Sequence, residues 1–397
     1  MSKPAPRLIF ILAAIIALGP LTVDLYLPAM PSMVNFFSTD ISQVQLTLSS
    51  YLLGFALFHL VCGPLSDRFG RKPVLLGGLL LYVLMSVMCA LAGTIEELII
   101  YRFLQAVGAC CAPTLGRAIV RDVYPPHEAV KALAYVSSLM ALAPVVAPSI
   151  GGVLVKYGDW RLAFWVLVGA GVVAIGLTLS AVPESLQHRQ TIHPKNILKN
   201  FATLLNDRLY MGNVLTASFL YSCAFAFLSG ASFILIDFMG VKPEHFGLYF
   251  LAIVVGYIGG NMFTARIAHA WAPQRLFKLG ITVSVVPAFF MVVSAYLHWY
   301  HPLLVVLPMF FVTLSIGLVL PQAMAQALKP FPQMAATASA MMGFLQMLVA
   351  SLAGWLVGLF LVDDPLPMAL IILSAGVAAA LCYRLMLAQR QSEPAVL

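Results

Sequence analysis

Long apolar runs alternate with short polar breaks along this chain, and within each run the apolar character is continuous rather than alternating. The runs fall near 7–29, 41–62, 74–92, 96–120, 131–155 and 162–182. After a polar stretch they resume near 209–238, 245–268, 276–297, 302–327, 336–361 and 366–388. Each is close to the roughly 20 residues a helix needs to cross hydrocarbon, whereas a membrane barrel would alternate over segments of about ten. The pattern therefore predicts an all-α membrane protein of twelve transmembrane helices. The polar stretch divides them into a six-helix half at 1–182, a linker at 183–208 and a second six-helix half at 209–397. Within the linker, Ile197, Leu198, Phe201, Leu204 and Leu205 recur at helical spacing, which predicts a helix lying along the membrane surface.

Composition agrees with this pattern: of 397 residues, 61% are hydrophobic and only 9% charged, against about 25% charged in soluble domains. The first run follows a short basic segment and so mimics a signal peptide. It continues through Leu27 without a small-residue cleavage site, and is read as a retained first helix. Charge then sets the orientation. With the N-terminus in the cytoplasm, all but Arg102, Lys156, Arg161 and Lys242 of the 22 Lys and Arg fall on cytoplasmic segments and their flanks. Both termini are then expected in the cytoplasm. The net charge of +7 is spread along membrane flanks rather than gathered in a domain, so it points to anionic lipid and not to nucleic acid.

The six cysteines lie inside apolar runs, and no second pair stands at metal-ligand spacing beside Cys110 and Cys111; they read as packing residues, with no metal expected. There is no Gly-rich phosphate loop and no catalytic triad order, so neither a nucleotide, another cofactor nor an enzyme activity is expected.

Two charges inside apolar runs carry the candidate chemistry. Asp24 lies roughly 24 Å along the first helix from Leu8, in the outer leaflet, where a carboxylate costs several kcal/mol unless it takes up a proton or finds a partner. The plainer alternative is a helix-end residue reaching outer water near Pro28. Arg102 enters from the same side to a depth of roughly 8 Å, and two opposite charges at matching depth are expected to pair; the plainer alternative is a structural arginine bonded to backbone carbonyls. A third feature is the charged break Gly63-Pro64-Leu65-Ser66-Asp67-Arg68-Phe69-Gly70-Arg71-Lys72-Pro73, with three cations and one anion. Here Gly63 and Gly70 are expected to form tight turns, and Asp122 to accept Arg68 or Arg71 across the inner face as a latch between conformations. Pro144, Pro148, Gly151 and Gly152 share one helix face and permit close approach, with Gly256, Gly259 and Gly260 as a complementary flat surface. His59 reads as a packing residue and Asp237 as a helix-end acid in contact with water. Tyr26, Gln105, Tyr221, Phe225, Gln322 and Gln346 are candidates for an apolar cavity with polar handles.

The segment from Gly63 to Lys72 resembles the signature loop of the major facilitator superfamily. Tyr101-Arg102-Phe103-Leu104-Gln105-Ala106-Val107-Gly108 is similar to its fourth-helix arginine motif. The segment from Ala143-Pro144 to Ala147-Pro148-Ser149-Ile150-Gly151-Gly152 resembles the fifth-helix motif of its antiporters, with Ala-Pro where Gly-Pro is usual. Val23-Asp24-Leu25-Tyr26-Leu27-Pro28-Ala29-Met30-Pro31 and Arg121-Asp122-Val123-Tyr124-Pro125 resemble the bicyclomycin/chloramphenicol-resistance subfamily of drug:proton antiporters. The resemblance implies the major facilitator fold and alternating access. It also implies a proton site near Asp24 and Arg102, a cytoplasmic gate built from Gly63, Asp67, Arg68, Gly70, Arg71, Lys72, Arg121 and Asp122, and an outer seal at the fifth helix. The activity the resemblance implies is proton-coupled efflux of drugs or other amphipathic small molecules by a monomer in a bacterial inner membrane. The alternative is proton-coupled transport of one metabolite such as a nucleoside, sugar or siderophore.

Overall fold

The first helix is broken by its own prolines. In the computed structural model, which describes residues 6–125, 128–129, 132–133, 135–136, 140, 142–186, 194–267, 270–361 and 364–388, each break falls four residues before a proline. Helix α1 (Pro6–Ile16) stops where Pro20 withholds an N–H, and α2 (Leu18–Asp24) stops where Pro28 does the same. A 3₁₀ turn at Leu27–Ala29 then leads into α3 (Met30–Phe37). The first membrane crossing thus spans Arg7–Phe37, well beyond the expected 7–29.

The remaining elements are α4 (Ile41–Phe69), α5 (Arg71–Leu91), α6 (Ile95–Val123), α7 (Ala143–Tyr157), α8 (Arg161–Ala181) and α9 (Pro194–Asn206). Then follow α10 (Arg208–Ser232), which continues as a π-helix over Phe233–Phe238, α11 (Pro243–Ile267) and α12 (Pro273–Tyr296). The chain closes with α13 (Pro302–Leu328), α14 (Ala335–Phe360) and α15 (Leu366–Cys382), the last running on as a π-helix over Tyr383–Ala388. Among the described residues, eleven helical segments are long and apolar enough to cross a membrane, and α7 adds a shorter apolar helix. The sequence places the fifth crossing at 131–155; α7 covers its second half, and several residues before it lie outside the described set. The linker helix forms as its periodicity predicts, whereas His188, Arg189 and His193 lie outside the described residues.

Sequence signals set the helix ends. Thr94 and Glu97 form a reciprocal capping box at the start of α6, and Asp207 accepts from the Tyr210 N–H at 2.6 Å to start α10. The charged break at 63–73 is not a loop. Helix α4 runs through Gly63 and Pro64 to Phe69, and α5 begins at Arg71, so Gly70 is the whole connection. Gly63 makes no turn, contrary to expectation, because the missing proline N–H is tolerated within a long membrane helix. Gly70 sits at φ 107°, a conformation that favours glycine.

Contacts divide the chain into two compact units, 1–193 with 242–247, and 194–241 with 248–397. In the first, α6 packs on both α4 and α5, α5 on α8, and α2 on α7. In the second, α10 packs on α13, α14 and α15, and α12 on α13 and α15. Glycines make the closest seams. Gly54 of α4 lies against the Phe103 carbonyl of α6, and Gly256 and Gly260 of α11 lie against the Phe310 and Leu314 carbonyls of α13. The expectation that Gly256, Gly259 and Gly260 complement the proline-glycine face of α7 is therefore corrected. Gly256 and Gly260 serve α13, and a Cβ on Gly259 would touch nothing.

Candidate functional site

The break in the first crossing places Asp24 at the end of α2, 4% exposed. Pro28 cannot donate to the Asp24 carbonyl, so backbone and side chain both present acceptors at this point. Helix α7 closes over it. Gly151 lies so near the Leu25 carbonyl that a Cβ would collide, and Pro28 flanks the same spot. Among the described residues no ion pair or hydrogen bond reaches the Asp24 carboxyl. A buried carboxylate in that position is tolerated only when a proton or a partner neutralises it.

Arg102, fully buried on α6, makes no ion pair with Asp24, contrary to the expected pairing. Its guanidinium is stacked between aromatic faces instead, 4.2 Å from the Tyr26 ring centroid and 4.4 Å from that of Tyr51, with Phe164 at 5.7 Å. Nη1 donates to Gln105 Oε1 at 2.7 Å and to the Thr22 carbonyl at 3.4 Å, while Nε and Nη2 have no hydrogen-bond acceptor. Ring faces carry negative electrostatic potential, so the two tyrosines take over much of the role a carboxylate would play. The reason lies in the break: the turn after Asp24 carries Tyr26 back over α6, and its ring takes the place beside the guanidinium. Hydrogen bonds extend from the arginine through neighbouring helices. Gln105 Nε2 donates to Ser86 Oγ at 2.7 Å, Ser86 donates to the Tyr82 carbonyl, and the Tyr82 hydroxyl shares a hydrogen bond with Thr22 at 2.8 Å. Tyr26 and Gln105, expected in a substrate cavity, are thus joined to the arginine. Tyr51, Thr22, Ser86 and Phe164 were missed. For Tyr51 the available signal was the polar run Gln45, Thr47, Ser49, Ser50 and Tyr51 inside an apolar helix.

The charged cluster at 63–73 is a second site. Arg71 reaches Asp67 Oδ1 at 2.7 Å and Asp122 Oδ2 at 3.1 Å, and also donates to Ser66 Oγ. Ser185 donates to Asp122 Oδ2 at 3.0 Å. Glu184, which the sequence places in the linker, accepts from the backbone N–H groups of Arg71 and Lys72 at 3.0 and 3.2 Å. A carboxylate thereby meets the positive end of α5. Lys72 Nζ donates to the Leu179 carbonyl at 3.1 Å. Of the two arginines offered to Asp122, Arg71 takes it, whereas Arg68 lies over the Phe69 ring at 5.1 Å. Arg121 is exposed on the last turn of α6. The cluster joins α4, α5, α6 and the segment after α8, all within the first unit.

Pro144 lies in the first turn of α7 and Pro148 within it, and its far end carries an ion pair between Lys156 and Glu244 at 3.2 Å, with Gly152 against the Pro243 carbonyl. His59 stacks on Phe55 and lies 3.6 Å from Cys110 Sγ, in keeping with a packing role. Asp237 falls in the π-helical segment after α10 and is partly exposed. In the second unit Tyr221 and Phe225 form an aromatic pair at 5.1 Å, Gln322 is partly exposed on α13, and the Gln346 amide nitrogen on α14 is buried without an acceptor.

Comparison with known proteins completes the description. The sequence model of the Major Facilitator Superfamily matches residues 12–354. An uncharacterized MFS-type transporter of Bacillus subtilis (strain 168) is 33% identical over 363 residues, covering 90% of each chain. A bicyclomycin resistance protein homolog of Haemophilus influenzae is 28% identical over 387 residues, covering 96% of this chain and 97% of the relative. Among solved structures, the peptide transporter POT in complex with sulfate superposes with a TM-score of 0.80 at 14% identity, covering 97% of this chain and 94% of that one.

Proposed function

We propose that this chain, which belongs to the Major Facilitator Superfamily and is a secondary transporter rather than an enzyme, is a proton-coupled antiporter that exports drugs or related amphipathic small molecules. The observation that carries the proposal is the Asp24 carboxyl, buried without a partner at the break of the first crossing, under Gly151 of the antiporter-like helix α7. An acid in that position binds a proton when the substrate leaves and gives it up when the substrate returns. Arg102 is the neighbouring fixed charge that biases this exchange. Its two nitrogens without acceptors leave it able to exchange ring contacts for a carboxylate as the helices shift. Similarity to a bicyclomycin resistance protein homolog supports the export direction and the drug class. The positive-inside distribution supports cytoplasmic termini, the similarity to bacterial transporters supports an inner-membrane location, and the protein is taken to act as a monomer. The membrane potential then adds about 2.3 kcal/mol per charge moved per 100 mV.

The decisive experiment reconstitutes the protein in liposomes with an imposed pH gradient. Bicyclomycin, chloramphenicol and a panel of nucleosides and sugars are offered while proton movement is recorded. Wild type is expected to exchange protons for one of the drugs, and Asp24→Asn to fall to the level of protein-free liposomes at equal protein content. Drug-driven proton movement that persists in Asp24→Asn would overturn the role of Asp24. Movement driven only by a nucleoside or sugar would replace the drug reading with the single-metabolite one.

A further inference from the structure

Between α4 and α5, on the side of the first unit that the mechanism does not use, lies an open groove of about 360 Å³. Its walls are Phe58, Leu65 and Phe69 of α4 and Val74, Gly77 and Leu81 of α5, and its floor is Val107 and Cys111 of α6. The groove exists because glycine occupies one wall. A Cβ on Gly77 would meet nothing, and Gly78 lets the Cys111 side chain close the floor. The same face exposes Val61, Phe69, Leu80 and Leu84, an apolar surface of the kind that acyl chains cover on membrane-spanning helices. At its end stands Arg68, exposed, stacked over the Phe69 ring that lines the groove, and without a carboxylate partner among the described residues. Its neighbour Arg71 is by contrast fully engaged by Asp67 and Asp122.

We infer that this groove is a binding site for one anionic phospholipid, an acyl chain lying between α4 and α5 over Cys111 and the headgroup phosphate meeting the Arg68 guanidinium. An apolar slot of this size, open to the bilayer and ended by one uncompensated cation, matches an amphiphile with a single negative head. Guanidinium is the side chain whose planar fork best suits a phosphate. Occupancy would brace the ends of α4 and α5 on either side of Gly70, so lipid composition would set how firmly the Arg71 cluster is held.

The test is native mass spectrometry of the full-length protein, delipidated and then titrated with 1-palmitoyl-2-oleoyl phosphatidylglycerol or the matching phosphatidylcholine. Wild type is expected to retain one phosphatidylglycerol about fivefold more strongly than phosphatidylcholine, the advantage of one surface cation. Gly77→Leu, which fills the slot, is expected to lose that retained lipid of either kind. Arg68→Gln is expected to keep the lipid and lose the fivefold preference. Should Gly77→Leu fail to fold, Leu81→Trp fills the same space from the same wall and is expected to behave alike. Retained lipid unchanged in the filled variant would overturn the site. A wild-type preference that survives Arg68→Gln, or no preference in wild type, would overturn the assignment of the headgroup.

Discussion

Arg102 is the largest charged side chain buried in the first unit, and its partners are rings rather than acids. A desolvated cation–π contact is worth about 2 kcal/mol and an exposed one roughly half that or less. Tyr51→Leu is therefore expected to lower stability in detergent unfolding by about 1–2 kcal/mol, whereas Tyr51→Phe keeps the ring face and stays near wild type. Arg102→Lys is not a conservative change here, since a point charge cannot stack between two rings as a planar guanidinium does. It should unfold earlier than wild type in the same assay. Equal loss in Tyr51→Phe and Tyr51→Leu would show that the hydroxyl and not the ring carries the contact.

At the scale of elements, two connections decide the geometry. The first crossing is cut into helices by Pro20, Pro28 and Pro31, which brings Asp24 to a helix end beneath α7. The turn from α4 to α5 is a single glycine pinned by Glu184, which caps α5 through two backbone N–H groups. A Cβ at Gly70 would both strain a backbone at φ 107° and ψ 151°, a region essentially reserved for glycine, and collide with the Glu184 carboxylate, and such a conformation costs a non-glycine residue about 1–3 kcal/mol. Gly70→Ala is thus expected to lower the melting temperature of the purified protein more than Glu184→Gln, which keeps one of the two acceptor oxygens and loses the other together with the charge, the charge being worth roughly 0.3–1 kcal/mol. If Glu184→Gln proves as damaging as Gly70→Ala, the carboxylate does more than cap the helix. The Arg71 ion pairs are partly exposed, with side chains 13 to 33% accessible, so each adds at most modestly to stability. Asp67→Ala should change transport rate in liposomes while leaving the protein content of the membrane nearly constant; loss of protein would make the cluster a folding element.

Across the molecule, both units use the same device, glycine set against a neighbouring helix carbonyl. Gly54 meets Phe103 in the first unit, and Gly256 and Gly260 meet Phe310 and Leu314 in the second. In lipid, helices associate through close backbone approach rather than through a hydrophobic driving force, which is why small residues mark the seams. Gly256→Ala and Gly260→Ala are expected to destabilise the second unit, each by about 1–3 kcal/mol as overpacking commonly does, whereas Gly259→Ala should be neutral or slightly stabilising. Thermal unfolding of the three variants checks this; a Gly259→Ala variant as unstable as the other two would remove the geometric account.

The sequence by itself determined the solvent and the elements. Apolar runs of about 20 residues can satisfy their backbone groups in lipid only as helices, so the crossings, the linker helix and the membership of a transporter superfamily were legible before any coordinate. It also exposed Asp24 and Arg102, because an ionisable group inside such a run stands out against its neighbours. Helix ends were legible less well: the break at 63–73 read as a loop, since charge and proline mark loops in water, yet a long membrane helix carries both. What only the tertiary structure decided is which groups meet. Arg102 turns to Tyr26 and Tyr51 rather than Asp24, Glu184 returns from beyond α8 to cap α5, and Gly256 serves α13 rather than α7. Each of these contacts joins residues far apart in the chain, and the approach of separate helices fixes them, which no periodicity within a single run records.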